Sequence, residues 1–506
     1  MAPSTPTPAP PSAPTPFPAT RLPTPFPRSY PWSAASSPIP RPTPTPTLAP
    51  NYVKLILQKL DSPLEFPLYQ VTETAYGIAG SRWLDEQRLE IRIAHWYSPH
   101  INLDVNTAVL DLFTGNTLIL NDCSFLFLRN HQVDYDDRHS HAVYATCDAI
   151  FVVDLNTGSQ RRLVAGPGEI CGLGGHICYS NLALSPDGRY LAFHDCSAGM
   201  YKCAAVRVLD ITTSEEVYAY YGEGLIGAPA WSPDGRYLAF YSDFTGAIWG
   251  EGIPGTLHTV IVDMSSGEEK ELPEISSLTG EYGIYLTPEW VRRGKNLLLW
   301  TAGQGIWIAD LSTFQIEQLP GSKGTWIPAF VSPDEDWVVY GYGEDQKTYV
   351  YGLSTGEVIT LNLSLLWAVW SPNSDRVFVV GYEYPKPELG GIWVNINTRE
   401  EGRVSWGDWG FSANASISWS PDGRCLAGIG KAGLWLIDPV EGPQVQVVPG
   451  EKTWCESWGY GFEALPHWSP DGRQIAFTGT DCELYLVDVS NYVAAISQGC
   501  IPGQHK

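Results

Sequence analysis

The densest run of chemistry-bearing side chains is HQVDYDDRHSH, which gathers His131, Asp134, Asp136, Asp137, His139 and His141. Imidazole and carboxylate groups at that proximity are the donor set of a metal site. Asp136 and Asp137, however, stand where two apolar runs are joined, and aspartate there bonds back to the nearby backbone. The solvated turn is the preferred reading, so no metal and no other cofactor is assigned. A second run, GLSTG at Gly352 to Gly356, matches the Gly-x-Ser-x-Gly pattern of a hydrolase elbow. That elbow needs a helix after the turn, and no helical pattern follows. It reads as a turn between strands, and no catalytic residue is assigned.

Of the ten cysteines, Cys171 and Cys178 bracket one short loop and Cys196 and Cys203 another. Both pairs read as local disulfides, each contributing ~2 kcal/mol, because the Cys-x2-Cys spacing of a zinc site is absent. The 20 tryptophans divide by position. Trp231, Trp290, Trp370, Trp419 and Trp468 recur just before a turn, and Trp307, Trp393 and Trp435 recur on a later strand, so both sets are expected to pack. Trp326, Trp406, Trp409, Trp454, Trp458 and Tyr460 fall in irregular connections, while Trp367 opens an inner strand. These seven are the candidate ligand-binding residues, since exposed rings stack on sugars or anchor a partner chain.

The elements that must position them are repeats. LALSPDGRYLAF, PAWSPDGRYLAF, ISWSPDGRCLAG and PHWSPDGRQIAF place one turn between apolar runs, with regular anchors at Ser185, Ser232, Ser332, Ser371, Ser420 and Ser469. Proline presets φ, aspartate bonds back to the backbone and glycine accepts positive φ. A second turn of the Asp-x-x-Thr-Gly kind follows each anchor, as in VVDLNTG. Each unit therefore reads as a four-stranded antiparallel meander. Stacking meanders radially protects their edges, so the chain is expected to be an all-β propeller of eight or nine blades, with seven as the lower bound. YVKLILQKL at 52–60 or YVAAIS at 492–497 is expected to close the ring.

Residues 1–50 hold 18 of the 41 prolines and read as an extended tether. Residues 51–76 form a lead-in with a candidate closing strand, 77–500 the propeller and 501–506 a tail. The tether carries Arg21, Arg28 and Arg41 and no acid. Subtracting its three charges from the total of −24 leaves −27 on the remainder, which repels nucleic acid and anionic lipid. No apolar run is long enough for a spanning helix. A Thr/Pro tether together with cysteines suits an extracytoplasmic protein, held at a cell surface or in a periplasm, whose export or lipid-anchor signal lies outside the given sequence.

The runs W-S-P-D-G-R-x-[LI]-A-F at 231–240 and 468–477 resemble the WD40-like repeat of TolB-type β-propellers, which also occurs in the propellers of prolyl oligopeptidase-like peptidases. The resemblance covers residues 178–490 well and 77–165 weakly. It implies a propeller and a role in envelope interactions. The peptidases keep their catalytic groups in a separate α/β domain, for which the segments flanking this propeller leave no room. The regular first and third turns of each unit share one face, whereas the insertions fall in second turns and inter-blade connections on the other. The expected function is therefore a non-catalytic monomer that binds a protein or envelope glycan through the irregular face. The competing class is a lyase or glycoside hydrolase with a polar site at the channel mouth.

Overall fold

In the computed structural model, the described residues run from 53 to 490 apart from 61–65, 75–76, 97–102, 126–132, 147–148, 166–178, 196–204, 223–225, 243–252, 280–286, 302–303, 326–328, 342–344, 384–387, 406–415, 431–432, 440–441 and 451–464. The local rules for the repeat are visible in the turn Ser232-Pro233-Asp234-Gly235. The Ser232 hydroxyl donates to Asp234 Oδ1 at 2.6 Å and accepts the Tyr237 N–H at 2.8 Å, and Asp234 Oδ1 also accepts the Arg236 N–H at 3.0 Å. Gly235 closes the turn onto the Ser232 carbonyl with φ of 69°, a conformation that a Cβ disfavours. Anchors Ser185, Ser420 and Ser469 repeat the set.

Nine antiparallel sheets follow one another. Their first strands are Gly77–Trp83, Val133–Tyr135, Tyr179–Leu184, Ala230–Trp231, Glu289–Val291, Phe330–Val331, Ser364–Trp370, Ser416–Trp419 and His467–Trp468, and these open blades 1 to 9. The third turn of a blade is tied to its first. Met264 donates to the Arg236 carbonyl at 2.9 Å, and Leu112, Leu155, Ile211, Leu311, Leu353, Ile396 and Val489 make the equivalent bond in other blades. Both turns thus lie on one face, and neighbouring blades interlock there. A Cβ on Gly235 would stand 3.6 Å from Pro186 of the preceding turn, and one on Gly472 would stand 3.7 Å from Pro421.

Ring closure comes from the chain start. Blade 9 takes its fourth strand from Leu68–Thr74, which pairs with Leu484–Asp488, and Val53–Leu60 lies one place further out as a fifth. The sequence placed the closing strand at 52–60 or at 492–497. The first of these is the outer strand instead, because Leu68 and Val71 are the residues that bury fully, and the second lies outside the described residues. The core is a succession of layers between blades rather than one centre. Ala192, Val206 and Val208 of blade 3 meet Leu238, Phe240 and Val260 of blade 4, and Leu68 joins the layer between blades 8 and 9. Cys425 and Cys482 are both buried, and neither is a free thiol.

Near the axis the seams are sealed by tryptophan. Trp231 Nε1 donates to the Ala183 carbonyl of the preceding blade at 2.9 Å, and Trp290, Trp370, Trp419, Trp468 and Trp83 repeat this bond to Ala230, Phe330, Val369, Ser418 and His467. A Trp419→Phe variant orphans the Val369 carbonyl and is expected to cost ~1–3 kcal/mol. Trp419→Ala adds a cavity and should cost ~3–5 kcal/mol. Urea unfolding followed by circular dichroism measures both, and equal losses in the two variants would contradict the hydrogen-bond assignment.

Candidate functional site

The residue just before each tryptophan position forms an inner ring: Arg82, Asp134, Ala183, Ala230, Glu289, Phe330, Val369, Ser418 and His467 in blades 1 to 9. Strand alternation turns each of these toward the next blade. The Arg82 guanidinium lies 5.0 Å from the Tyr135 ring centre of blade 2, and Asp134 Oδ2 accepts the Leu184 N–H of blade 3 at 2.7 Å. Charge on this ring follows a rule. The three seams whose following blade lacks the tryptophan, having Tyr135, Leu184 or Val331 there, are the seams at Arg82, Asp134 and Glu289. An indole laid over a neighbour removes its water, which a charged group tolerates poorly. His467, under Trp83, conforms: burial lowers its pKa to about 4 and keeps it neutral.

The charged sector is richest between blades 1 and 2. The second strand of blade 1, Arg88–Trp96, buries Leu89, Ile91 and Ile93 on one face and turns Arg88, Glu90 and Arg92 to the other. Glu90 Oε2 accepts Arg82 Nε at 2.7 Å, and its Oε1 stands 3.7 Å from Arg92 Nε. The Glu90 side chain is 4 % exposed, against 50 % for Arg82 and 56 % for Arg92. The carboxylate is the floor of the cluster, and the guanidinium groups are its solvent face. Burial, reinforced by the charge of Glu90, drives the Tyr135 hydroxyl well above its usual range. That hydroxyl is itself buried, beside Glu90 and Arg82. Asp134 is pushed up to about 6 by burial, opposed by the Leu184 and Tyr135 N–H groups.

Glu289 retains solvent contact, yet enclosing protein and the nearby Glu335 charge push it up to about 7. Its folded pKa therefore exceeds its unfolded one. The associated stability is complete below pH ~4.5 and is lost as pH rises through about 7. Glu289→Gln should raise stability at pH 8 by ~1–2 kcal/mol, less than the full linkage value because solvent screens the group, and should change little at pH 4.5. Melts of the variant and the parent at the two pH values measure this difference, in which the opposite acid-side loss from His467 and from His194, a fully buried histidine of blade 3 whose pKa burial likewise lowers to about 4, cancels. A gain confined to acid pH would contradict it.

The structure disperses the HQVDYDDRHSH run. Asp134 joins the inner ring, whereas Asp136 closes the turn by accepting the Ser140 and His141 N–H groups at 2.7 and 2.9 Å. Against the opposing effect of burial, these bonds hold the Asp136 carboxyl low. His131 lies outside the described residues, among which no group of three or more metal-binding side chains occurs. GLSTG is a third turn, with Gly356 donating to the Gly352 carbonyl at 2.8 Å and the Ser354 hydroxyl bonded to Asp336. Trp367 is half-buried on the first strand of blade 7, its ring 5.3 Å from that of Phe330 and its indole N–H buried without a partner. Trp326, Trp406, Trp409, Trp454, Trp458 and Tyr460, and likewise Cys171, Cys178, Cys196 and Cys203, lie outside the described residues. Arg82, Glu90, Tyr135, Glu289 and His467 were not singled out by sequence. The signal for Arg82, Glu289 and His467 was the column before the recurring tryptophan, that for Tyr135 its place in the tryptophan column, and Glu90 on the second strand carried none.

No known protein-family profile matches the chain, and no curated protein matches it in sequence. The likeness to TolB-type repeats therefore stays a resemblance. Among solved structures, a eukaryotic initiation factor is 13 % identical with a TM-score of 0.49, covering 74 % of this chain and 90 % of its own. An oligogalacturonate lyase in complex with manganese is 11 % identical with a TM-score of 0.42, covering 86 % and 96 %. An oligogalacturonate lyase from Vibrio parahaemolyticus is 11 % identical with a TM-score of 0.41, covering 86 % and 98 %. None of these bears on activity.

Proposed function

We propose that this chain is a non-catalytic, tethered β-propeller that binds a protein or cell-envelope glycan outside the cytoplasm, through the face opposite its regular turns. The observation that carries the reading is the bonding of the turn face. There the first and third turns satisfy one another's backbone groups and interlock with the next blade, so that face is occupied by its own structure. The strand ends on the other side are joined by second-turn and inter-blade segments that are irregular in length and rich in aromatic residues in sequence, and connections on a rigid scaffold are where recognition concentrates. Disulfides at Cys171/Cys178 and Cys196/Cys203 would stiffen two of them.

An enzyme acting on sugars is the weaker reading. The carboxylates raised to about 6 and about 7, Asp134 and Glu289, belong to blades 2 and 5 with two blades between them. Glycosidases instead set two carboxyl groups across one bond. Capture of envelope proteins and glycans by the whole chain, compared with a Trp406→Ala/Trp409→Ala/Trp458→Ala variant, tests the proposal. The variant should lose at least about tenfold in capture, since a few buried aromatic anchors carry most of a binding energy. Equal capture by the two chains overturns the aromatic-face reading.

A further inference from the structure

We infer that Cys425 carries a disulfide to Cys500, a bond that staples the segment after blade 9 to the regular face of blade 8. Cys425 and Cys482 are each disulfide-bonded, and the topology sets them on opposite faces. Cys425 directly follows the first turn of blade 8: its N–H donates to the Ser420 hydroxyl at 3.0 Å, and its carbonyl accepts the Ser420 N–H at 2.8 Å. Cys482 lies in the second turn of blade 9, where its N–H donates to the Gly479 carbonyl at 2.9 Å. A whole second strand separates the two kinds of turn, such as the five residues Gln474–Thr478. That is a rise of ~16 Å, well beyond the ~7 Å between Cα atoms that a disulfide can bridge. The two cysteines therefore have different partners.

The order of strands leaves one partner for Cys425. Cys147, Cys196, Cys203 and Cys482 fall in second turns. Cys123, Cys171, Cys178 and Cys455 fall at the end of an outer strand or in the segment that joins it to the next blade. All of these positions belong to the irregular face. Cys500 alone follows a third turn without a fourth strand after it, because blade 9 takes its fourth strand from the chain start. Val489 donates to the Arg473 carbonyl at 2.8 Å, so the chain leaves blade 9 on the regular face. That exit stands beside Cys425. Cys425 and Val489 share the layer between blades 8 and 9, and a Cβ on Gly472, next to Arg473, would stand 3.7 Å from Pro421 of the blade 8 turn. Cys500 lies outside the described residues, and the chain from Ser490 can reach ~30 Å when extended, ample for the return to blade 8. Forming the bond breaks two S–H bonds. Two electrons and two protons pass to a disulfide oxidant of the thiol-exchange class, which leaves as its dithiol. Only that oxidant rests on the proposed setting outside the cytoplasm.

Digestion of the whole chain, alkylated without reduction, tests the bond. Trypsin with a glutamate-specific protease puts Cys425 on peptide 425–431, Cys482 on 474–483 and Cys500 on 484–506. Mass spectrometry should find 425–431 joined to 484–506, and dithiothreitol should part them. Cys500→Ser leaves the buried Cys425 side chain in place. In guanidinium chloride it should offer a maleimide one thiol more than the parent does. Its melting temperature should fall by about 5 °C, since the bond closes a loop of about 75 residues in the unfolded chain. Peptide 425–431 recovered alkylated, or joined to a peptide that carries any other cysteine, overturns the bond. An unchanged melt in Cys500→Ser overturns its role as a staple. Neither result touches the loop-face proposal, which is read by capture with tryptophan variants elsewhere in the chain.

Discussion

Deleting residues 51–76 is expected to abolish the cooperative fold, whereas deleting residues 1–49 should leave the melt unchanged. The strand Leu68–Thr74 carries the start of the chain into blade 9 as its fourth strand and so closes the ring by backbone pairing. Leu68 and Val71 are fully buried, and exposing each costs ~1.5–3 kcal/mol. Thr72 donates to Glu483 Oε2 at 2.6 Å and accepts the Leu484 N–H at 3.0 Å. Losing it leaves a nearly buried carboxylate short of a donor, at ~1.5–3 kcal/mol. Together these terms approach the ~5–15 kcal/mol that holds a typical domain together. They also open the edge of the Leu484–Asp488 strand to other chains. Val71→Asp should reproduce the loss, and Leu57→Asp on the exposed fifth strand should not. Calorimetry and gel filtration measure these outcomes. A truncated chain that still melts in one sharp transition near the parental temperature would contradict the closure assignment.

The fold was legible because its turns are chemically explicit. Ser-Pro-Asp-Gly and Asp-x-x-Thr-Gly have side chains that complete their own backbone bonds, and the recurring tryptophans mark the inner strand. Closure was less legible. LYQVTET buries Leu68, Val71 and Thr72, which breaks the alternation by which a strand is recognised, whereas the more apolar VKLILQKL looks the better closing strand and lies outside. The candidate site was legible in one sense only. Asp134 sits in the most polar run of the sequence, but its meaning comes from Arg82 and Glu90, more than 40 positions earlier, and from the absence of an indole at Tyr135. Once the seams are known, that absence can be read as a column: alanine, phenylalanine, valine, serine or neutral histidine precedes a following-blade tryptophan, and a charged residue precedes its replacement.

That column makes Arg82 the residue whose loss should matter most among the polar positions. In Arg82→Met the stem volume is roughly kept, but Glu90 loses the 2.7 Å partner of a carboxylate that is 4 % exposed. Arg92, at 3.7 Å and mostly in solvent, compensates only in part. Breaking a buried ion pair from one side costs ~3–5 kcal/mol, because the remaining charge is neither hydrated nor paired. The double variant Arg82→Met/Glu90→Gln removes both charges and should recover most of the loss, although its amide must still find a donor and an acceptor. Urea unfolding of the three chains distinguishes this from a packing defect, which would persist in the double variant.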